Sequence, residues 1–400
     1  MVVIYRSASW RLRILLALVC ITASCVSRGP SLPAPSTANA GRILTWIPAY
    51  PIGTTAPAAT VLAHAPDVGA VGAHPWTYLG QAAEIGRDRP DLMLLAYMNG
   101  TFAQAGQGRA FPPSWYLRDA AGHKVRSLLW GNYLMDPTNP AWIEDRVARC
   151  RRSLVVSGYG GCLVDMLGTA PIYSWYVTGA PIDPSTDQPW MASSWLAATT
   201  ALGSAIKAGN QGATVIGNGL GDGGRFFDAR SPSEQILNGI DGGIAETWLR
   251  TAAASPDAFP AVGSWRRDVD MLDATDRSVF VETKVWTAAT PHQVDAWHRF
   301  ALASFLLAND ASDYFAFSSD PHGAITPDRL AASVRIGEPA GSYRQVDGIF
   351  ERSFTDGIVL VNPTPARVTT DLDGTFRDGG RPVGRSLTVE PHSGLILTAA

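Results

Sequence analysis

Four hundred residues exceed one ordinary domain and suit a barrel followed by a small accessory module. A hydrophobic share of 46% supports a large core, and a net charge of −3 argues against a nucleic-acid patch or an acidic tail. Thirteen tryptophans are more than core packing usually calls for, an excess that suits sugar platforms.

The N-terminus reads as a targeting segment. Arg6, Arg11 and Arg13 precede the apolar stretch Ile14 to Ile21, and Thr22, Ala23 and Ser24 lead to Cys25. That stretch is too short to span a bilayer and marks residues 1–25 as a signal peptide. Thr-Ala-Ser-Cys is similar to a bacterial lipoprotein box, which places a lipid anchor on Cys25. Thr22 stands where an aliphatic residue is usual, so cleavage by an ordinary signal peptidase stays open. Either route predicts an extracellular or cell-surface protein. Residues 26–40 form a Pro/Ser/Ala linker with nothing to bury. Cys20 and Cys25 belong to the leader, which leaves Cys150 and Cys162. An oxidising compartment permits a disulfide between them, and two buried thiols are the alternative.

Eight strand-like runs follow: Ile43–Pro48, Val68–His74, Leu92–Met98, Gly161–Met166, Thr214–Asn218, Gly243–Trp248, Val279–Lys284 and Asp313–Phe317. Helix-like stretches separate them, clearest at Trp142–Val156, Trp190–Ala208 and Pro291–Ala308. Strand alternating with helix eight times predicts an α/β protein with a (β/α)8 TIM barrel over residues 41–334. The connections over 99–140 and 167–190 are long and carry Gly, Pro, Trp and Tyr, as substrate loops do. After about residue 335 the runs shorten and are split by Asp-Gly and Pro turns. They predict a small antiparallel, β-sandwich-like module over 335–400.

A carboxylate closes three of the apolar runs: Asp165 in GGCLVDM, Glu246 in GGIAET and Glu282 in SVFVET. A charge interrupts a buried strand at a desolvation cost unless the strand meets a wet pocket there. Acids at the carboxyl ends of successive strands are how a barrel of this kind builds an active site. Two-residue alternation puts Leu163 with Asp165, Ile244 with Glu246 and Trp248, and Phe280 with Glu282, Lys284 and Trp286. The acids therefore point into the barrel mouth with aromatic neighbours. Glycosidases need one carboxyl group to attack or guide water and another to protonate the leaving oxygen. An apolar setting would raise the pKa of the acid, and a polar one would keep the nucleophile ionised.

Asp136-Pro137-Thr138-Asn139-Pro140-Ala141-Trp142, followed by Ser157-Gly158-Tyr159-Gly160-Gly161-Cys162-Leu163-Val164-Asp165, resembles a signature of barrel hydrolases. These are the hypothetical glycosyl hydrolase families related to the α-galactosidase superfamily and the endo-α-galactosaminidase-like group. The resemblance spans roughly 42–330, and Phe354–Asn362 resembles their C-terminal β module. It implies a retaining hydrolase with a strand-four Asp nucleophile and a strand-six acid/base, here Asp165 and Glu246. Gly160 stands where the signature often has Asp, and the strand-six acid is Glu where α-galactosidases have Asp, which leaves linkage and anomer open.

Each candidate has a plainer reading. Asp165 is also readable as a helix cap or a salt-bridged strand end. Glu282 is also readable as an ion-pair partner of Lys284, either for structure or for binding a sugar hydroxyl. Asn218 suits a hydrogen bond to substrate or a turn. The GNGLGDGG around it lacks the Lys-Ser/Thr of a phosphate loop. His74 with Trp76, Tyr97 with Asn99, Trp130, Trp248 and Trp286 are candidate walls for substrate. The seven histidines are scattered without metal-ligand spacing, so neither a metal nor a cofactor is expected. The expected function is a secreted or lipid-anchored hydrolase of O-glycosidic bonds with a carbohydrate substrate. The rival is a non-catalytic carbohydrate-binding lipoprotein on the same barrel, and a lyase or deacetylase is a more distant third.

Overall fold

A computed structural model describes residues 43–49, 68–103, 111–320 and 328–400, all of which belong to one compact unit. The expected signal peptide, the linker and the Cys25 anchor lie outside the described residues. Eight parallel strands form where the apolar runs predict them. They are β1 (Thr45–Ala49), β2 (Val68–Ala73), β3 (Met93–Asn99), β4 (Gly161–Asp165), β5 (Thr214–Asn218), β6 (Gly242–Ala245), β7 (Ser278–Lys284) and β8 (Tyr314–Ser318). They close into a barrel, each pairing with its neighbours in sequence and β1 pairing with β8.

The strands are apolar throughout because both faces are covered. Trp46, Leu95, Leu163, Ile216, Ile244 and Phe280 fill the barrel interior. Val164, Val215, Ala245, Val279 and Phe315 alternate with them and join the core beneath the helices. The helices are α1 (Ala82–Asp88), α2 (Pro140–Val155), α3 (Ala192–Gly209), α4 (Gly223–Phe226), α5 (Val262–Asp273), α6 (Pro291–Ala308) and α7 (Arg329–Ser333). Start signals are local. The Asn139 side chain accepts from the Ala141 and Trp142 amides, with Pro140 in the first turn of α2. Thr290 and Gln293 form a reciprocal capping box at α6.

Past the barrel come β9 (Arg344–Val346), β10 (Ile349–Phe354), β11 (Gly357–Asn362), β12 (Val368–Asp371), β13 (Phe376–Asp378), β14 (Arg381–Pro382), β15 (Ser386–Val389) and β16 (Ser393–Ala399). Six of them make one antiparallel sheet, and β12 with β15 makes a separate ribbon. Sequence alternation misses β13 and β14, which are short and exposed. The six-stranded sheet shares apolar core with the barrel helices: Trp265 of α5 meets Phe350 at 4.6 Å between ring centres. Gly394 lies so close to α6 that a Cβ there would come within 2.4 Å of the Ala303 Cβ.

Cys150 of α2 and Cys162 of β4 are disulfide-bonded, with Cα atoms 6.0 Å apart, and both are fully buried. The bond fastens helix to strand just upstream of Asp165. Replacing both by alanine is expected to lower unfolding free energy by about 2–3 kcal/mol. Denaturant titration of the oxidised protein and the double variant checks this, and equal stabilities would show that packing alone suffices.

Candidate active site

Inward positions at the carboxyl ends of β3 to β7 converge. Two-residue alternation carries Leu95 to Tyr97 in β3, Leu163 to Asp165 in β4, Ile216 to Asn218 in β5, and Phe280 to Glu282 and Lys284 in β7. Glu246 lies one residue past β6, next to Ala245. The Asn218 Nδ2 donates to Asp165 Oδ1 at 2.8 Å and to Glu246 Oε2 at 3.1 Å. Those two carboxylate oxygens therefore stand no farther apart than the two bond lengths laid end to end.

Asp165 receives three donors. Besides Asn218, the Met166 amide donates to Oδ1 at 2.8 Å and the Tyr97 hydroxyl to Oδ2 at 2.6 Å. Met166 holds φ 64°, left-handed backbone that turns its N–H back onto the carboxylate. A non-glycine residue there costs about 1–3 kcal/mol, and such strain concentrates at functional sites. The glycines around Asn218 serve packing. Gly168 and Gly219 touch back to back, and a Cβ on Gly168 would lie 2.5 Å from the Gly219 carbonyl oxygen. Leu167 donates to the Asn218 carbonyl at 2.9 Å, which ties the ends of β4 and β5 together.

Lys284 bridges two acids, at 2.9 Å from Glu246 Oε1 and 3.1 Å from Glu282 Oε2. The Glu246 side chain is 36% exposed and faces a cavity of about 550 Å³, whereas that of Glu282 is 2% exposed and does not reach it. Glu282 is thus removed from direct contact with a substrate and acts on the cavity through Lys284. Burial pushes the Glu282 carboxyl up to about 7 against the pull of Lys284. Burial pulls the Lys284 ammonium down, but Glu246 and Glu282 outweigh it and hold the amine charged. Burial, reinforced by the Glu246 charge, raises Asp165 to about 6. The expected division of environments is therefore reversed on one side: it is Asp165 that burial pushes up, although its three donors all favour the anion.

Of the other candidate walls, His74, Tyr97, Asn99, Trp130 and Trp286 line the cavity. Tyr97 is better described as the donor that orients Asp165. Asn99 spends its side-chain oxygen on the Thr101 and Phe102 amides and so closes a turn. Trp76 does not line the cavity; it stands outside, stacked on His74 at 4.2 Å. Trp248 is a correction. It is fully buried and donates to the Asp268 carbonyl, because β6 ends at Ala245, three residues before it. Alternation holds only while a strand lasts. Trp175, Tyr176 and Arg225 also line the cavity and were not singled out by sequence. The signal for the first two was the aromatic content of the long connection over 167–190. Among the described residues no group of three His, Cys, Asp or Glu side chains is arranged to hold a metal ion.

A closed parallel barrel with acids converging at its carboxyl end defines an enzyme of the glycoside hydrolase class. Residues 96–358 match the model of hypothetical glycosyl hydrolase family 15, and the chain belongs to that family. No match was found among curated proteins. Solved structures of similar fold include an α-amylase from Anoxybacillus (TM-score 0.51, 11% identity, 90% of this chain and 98% of that one). Amy13B from Eubacterium rectale gives 0.55 at 8% identity, covering 90% and 96%. An α-amylase from Malbranchea cinnamomea gives 0.51 at 10%, also covering 90% and 96%. At such identities the likeness is one of fold.

Asp165, Glu282 and Asp268 (raised by burial to about 7) all titrate above the ordinary carboxylate range. Between roughly pH 4 and 7 the folded state thus holds protons that the unfolded chain has released. Stability from these groups is full below that window and is lost as pH rises through it. The melting temperature should be higher near pH 5 than near pH 8. Glu282→Gln should shrink the difference; a variant with an unaltered pH profile would remove Glu282 from this account.

Proposed function

We propose that this chain is a retaining glycoside hydrolase in which Asp165 is the nucleophile and Glu246 the acid/base. The observation that carries this reading is the meeting of both carboxylates on one amide nitrogen, Asn218 Nδ2. Their nearest oxygens are then closer than the roughly 6.5–9.5 Å that inverting enzymes leave for a water, and compatible with the roughly 5–5.5 Å of retaining ones. The same closeness weighs against a barrel that only binds carbohydrate.

The roles follow from surroundings. Asp165 accepts three hydrogen bonds, an arrangement suited to an anion that attacks the anomeric carbon. Its Oδ2 carries only the Tyr97 bond and is the freer oxygen for attack, while the two N–H donors on Oδ1 would support the carbonyl of the resulting ester. Glu246 opens onto the cavity, where the departing oxygen takes its proton. The resulting carboxylate then accepts a proton from the incoming water as water attacks the same carbon and Asp165 leaves. Lys284, pinned by Glu282, fixes Glu246 in place.

Acids at the ends of β4 and β6 also support the finer kinship with the α-galactosidase and endo-α-galactosaminidase-like group, and with it an α-linked glycan as substrate. Export follows from the leader, with a lipid on Cys25 as the anchor, and the Cys150–Cys162 disulfide is consistent with an oxidising compartment. Mass spectrometry of membrane-fraction protein tests the lipid, and an unmodified soluble product beginning beyond Cys25 would refute it.

Asp165→Ala should reduce kcat by a factor of about 10³ or more while leaving the fold intact, with activity near wild type removing it from the nucleophile role. Glu246→Ala should lose far more activity on a natural glycan than on an aryl glycoside whose leaving group needs no proton. The product anomer, followed by NMR, should match that of the substrate; inversion would refute the double displacement. Because Asp165 must be ionised to attack, kcat/KM should fall on the acid side as pH drops through about 6.

A further inference from the structure

The cavity does not end where the carboxylates stand. Among the described residues, the exposed large aromatic side chains are Trp76, Trp130, Tyr173, Trp175 and Phe227. All five sit on connections that leave the carboxyl ends of β2, β3, β4 and β5, the face that bears the cavity. Exposed aromatic rings gathered on one face mark a binding surface, since each gives up the burial that its size would otherwise bring.

Three of them belong to two connections that are joined to each other. Trp130 and Trp175 line the cavity, and Tyr173 lies beyond its lining. The Tyr173 and Trp175 rings lie 6.5 Å apart and within 20° of parallel. The two connections that carry them are fastened into one unit. Ser127 bridges to Val177, the Leu128 amide donates to the Tyr176 carbonyl at 2.8 Å, and the Thr178 amide donates to the Arg126 carbonyl at 2.9 Å. Beneath lies an apolar cluster of its own, including Phe102, Leu117, Val125 and Trp195. Tyr176 belongs to it and meets Trp175 edge to face at 5.4 Å. The rings are held in place before any ligand arrives, which lowers the ordering cost of binding.

Pyranose rings present apolar C–H faces that stack on aromatic rings, and successive units of a glycan offer successive faces. We propose that Trp130, Trp175 and Tyr173 form a stacking rail for sugar units beyond the cleaved bond, so that the substrate is an extended polysaccharide cut within the chain. A substrate of one or two sugar units filling the cavity would not reach Tyr173, which lies outside its lining. This inference rests on the hydrolase reading above and deepens it.

The test compares wild type, Trp175→Ala and Tyr173→Ala on the polysaccharide that wild type cleaves fastest and on the shortest oligosaccharide of that linkage it still cleaves. Both side chains are exposed, so unchanged melting temperatures should show intact folds. On the polymer, kcat/KM should fall up to about tenfold for Trp175→Ala and severalfold for Tyr173→Ala, with clearly smaller losses on the short substrate. Wild type should release products of intermediate length early. Equal losses at both lengths, no loss at either, or early release of single sugars would overturn the rail. Should wild type cleave no glycan at all, the hydrolase reading fails and the rail is judged separately by polysaccharide retardation in affinity gels. Weaker retardation of the two variants then supports it; unchanged or absent retardation overturns it.

Discussion

One amide nitrogen organises the centre of this molecule. Asn218 Nδ2 spends one hydrogen on Asp165 and the other on Glu246, and so holds in register two carboxylates that would otherwise repel. It does so from the strand that lies between theirs, at the same inward phase. Around that nitrogen the remaining donors fall into place. Tyr97 and the Met166 amide complete the shell of Asp165, and Lys284 answers Glu246 from the other side. The left-handed turn at Met166 and the glycine contact between residues 168 and 219 are what let the strand ends approach so closely.

The charge balance of this cluster is uneven. Glu246 and Glu282 share a single ammonium, Lys284, while Asp165 is held by neutral donors alone. Burial pushes Asp165 and Glu282 up, so the cluster retains protons at pH values where exposed carboxylates have lost them. For Asp165 this sets the lower pH limit of attack, and for Glu282 it is the consequence of complete burial. The cost is borne as stability lost with rising pH, a common trade at active sites.

The tryptophans divide along physical lines. Trp142, Trp195, Trp248, Trp265 and Trp297 are fully buried, and each places its indole N–H on a carbonyl or hydroxyl oxygen. Trp265 joins α5 to α6, and the other four join a helix to a connection that leaves a barrel strand. Others stand on the catalytic-face loops with rings in solvent. The excess of this residue type therefore has two sources, and composition sees only their sum.

The eight strands, the long aromatic connections and the acids at strand ends were all legible in the chain, because apolar runs and two-residue alternation are local properties. So were the neighbours of Asp165 within its own strand. Sequence could not show that β6 stops at Ala245, and so it carried Trp248 into the site when the residue lies in the core against α5. Nor could it rank Glu282 beneath Lys284, decide between a Cys150–Cys162 bond and two buried thiols, or pair the connection that carries Trp130 with the one that carries Trp175, since each depends on how far two distant segments approach. Alternation along a strand sets which way a side chain points. The closure of the ring decides what it meets there.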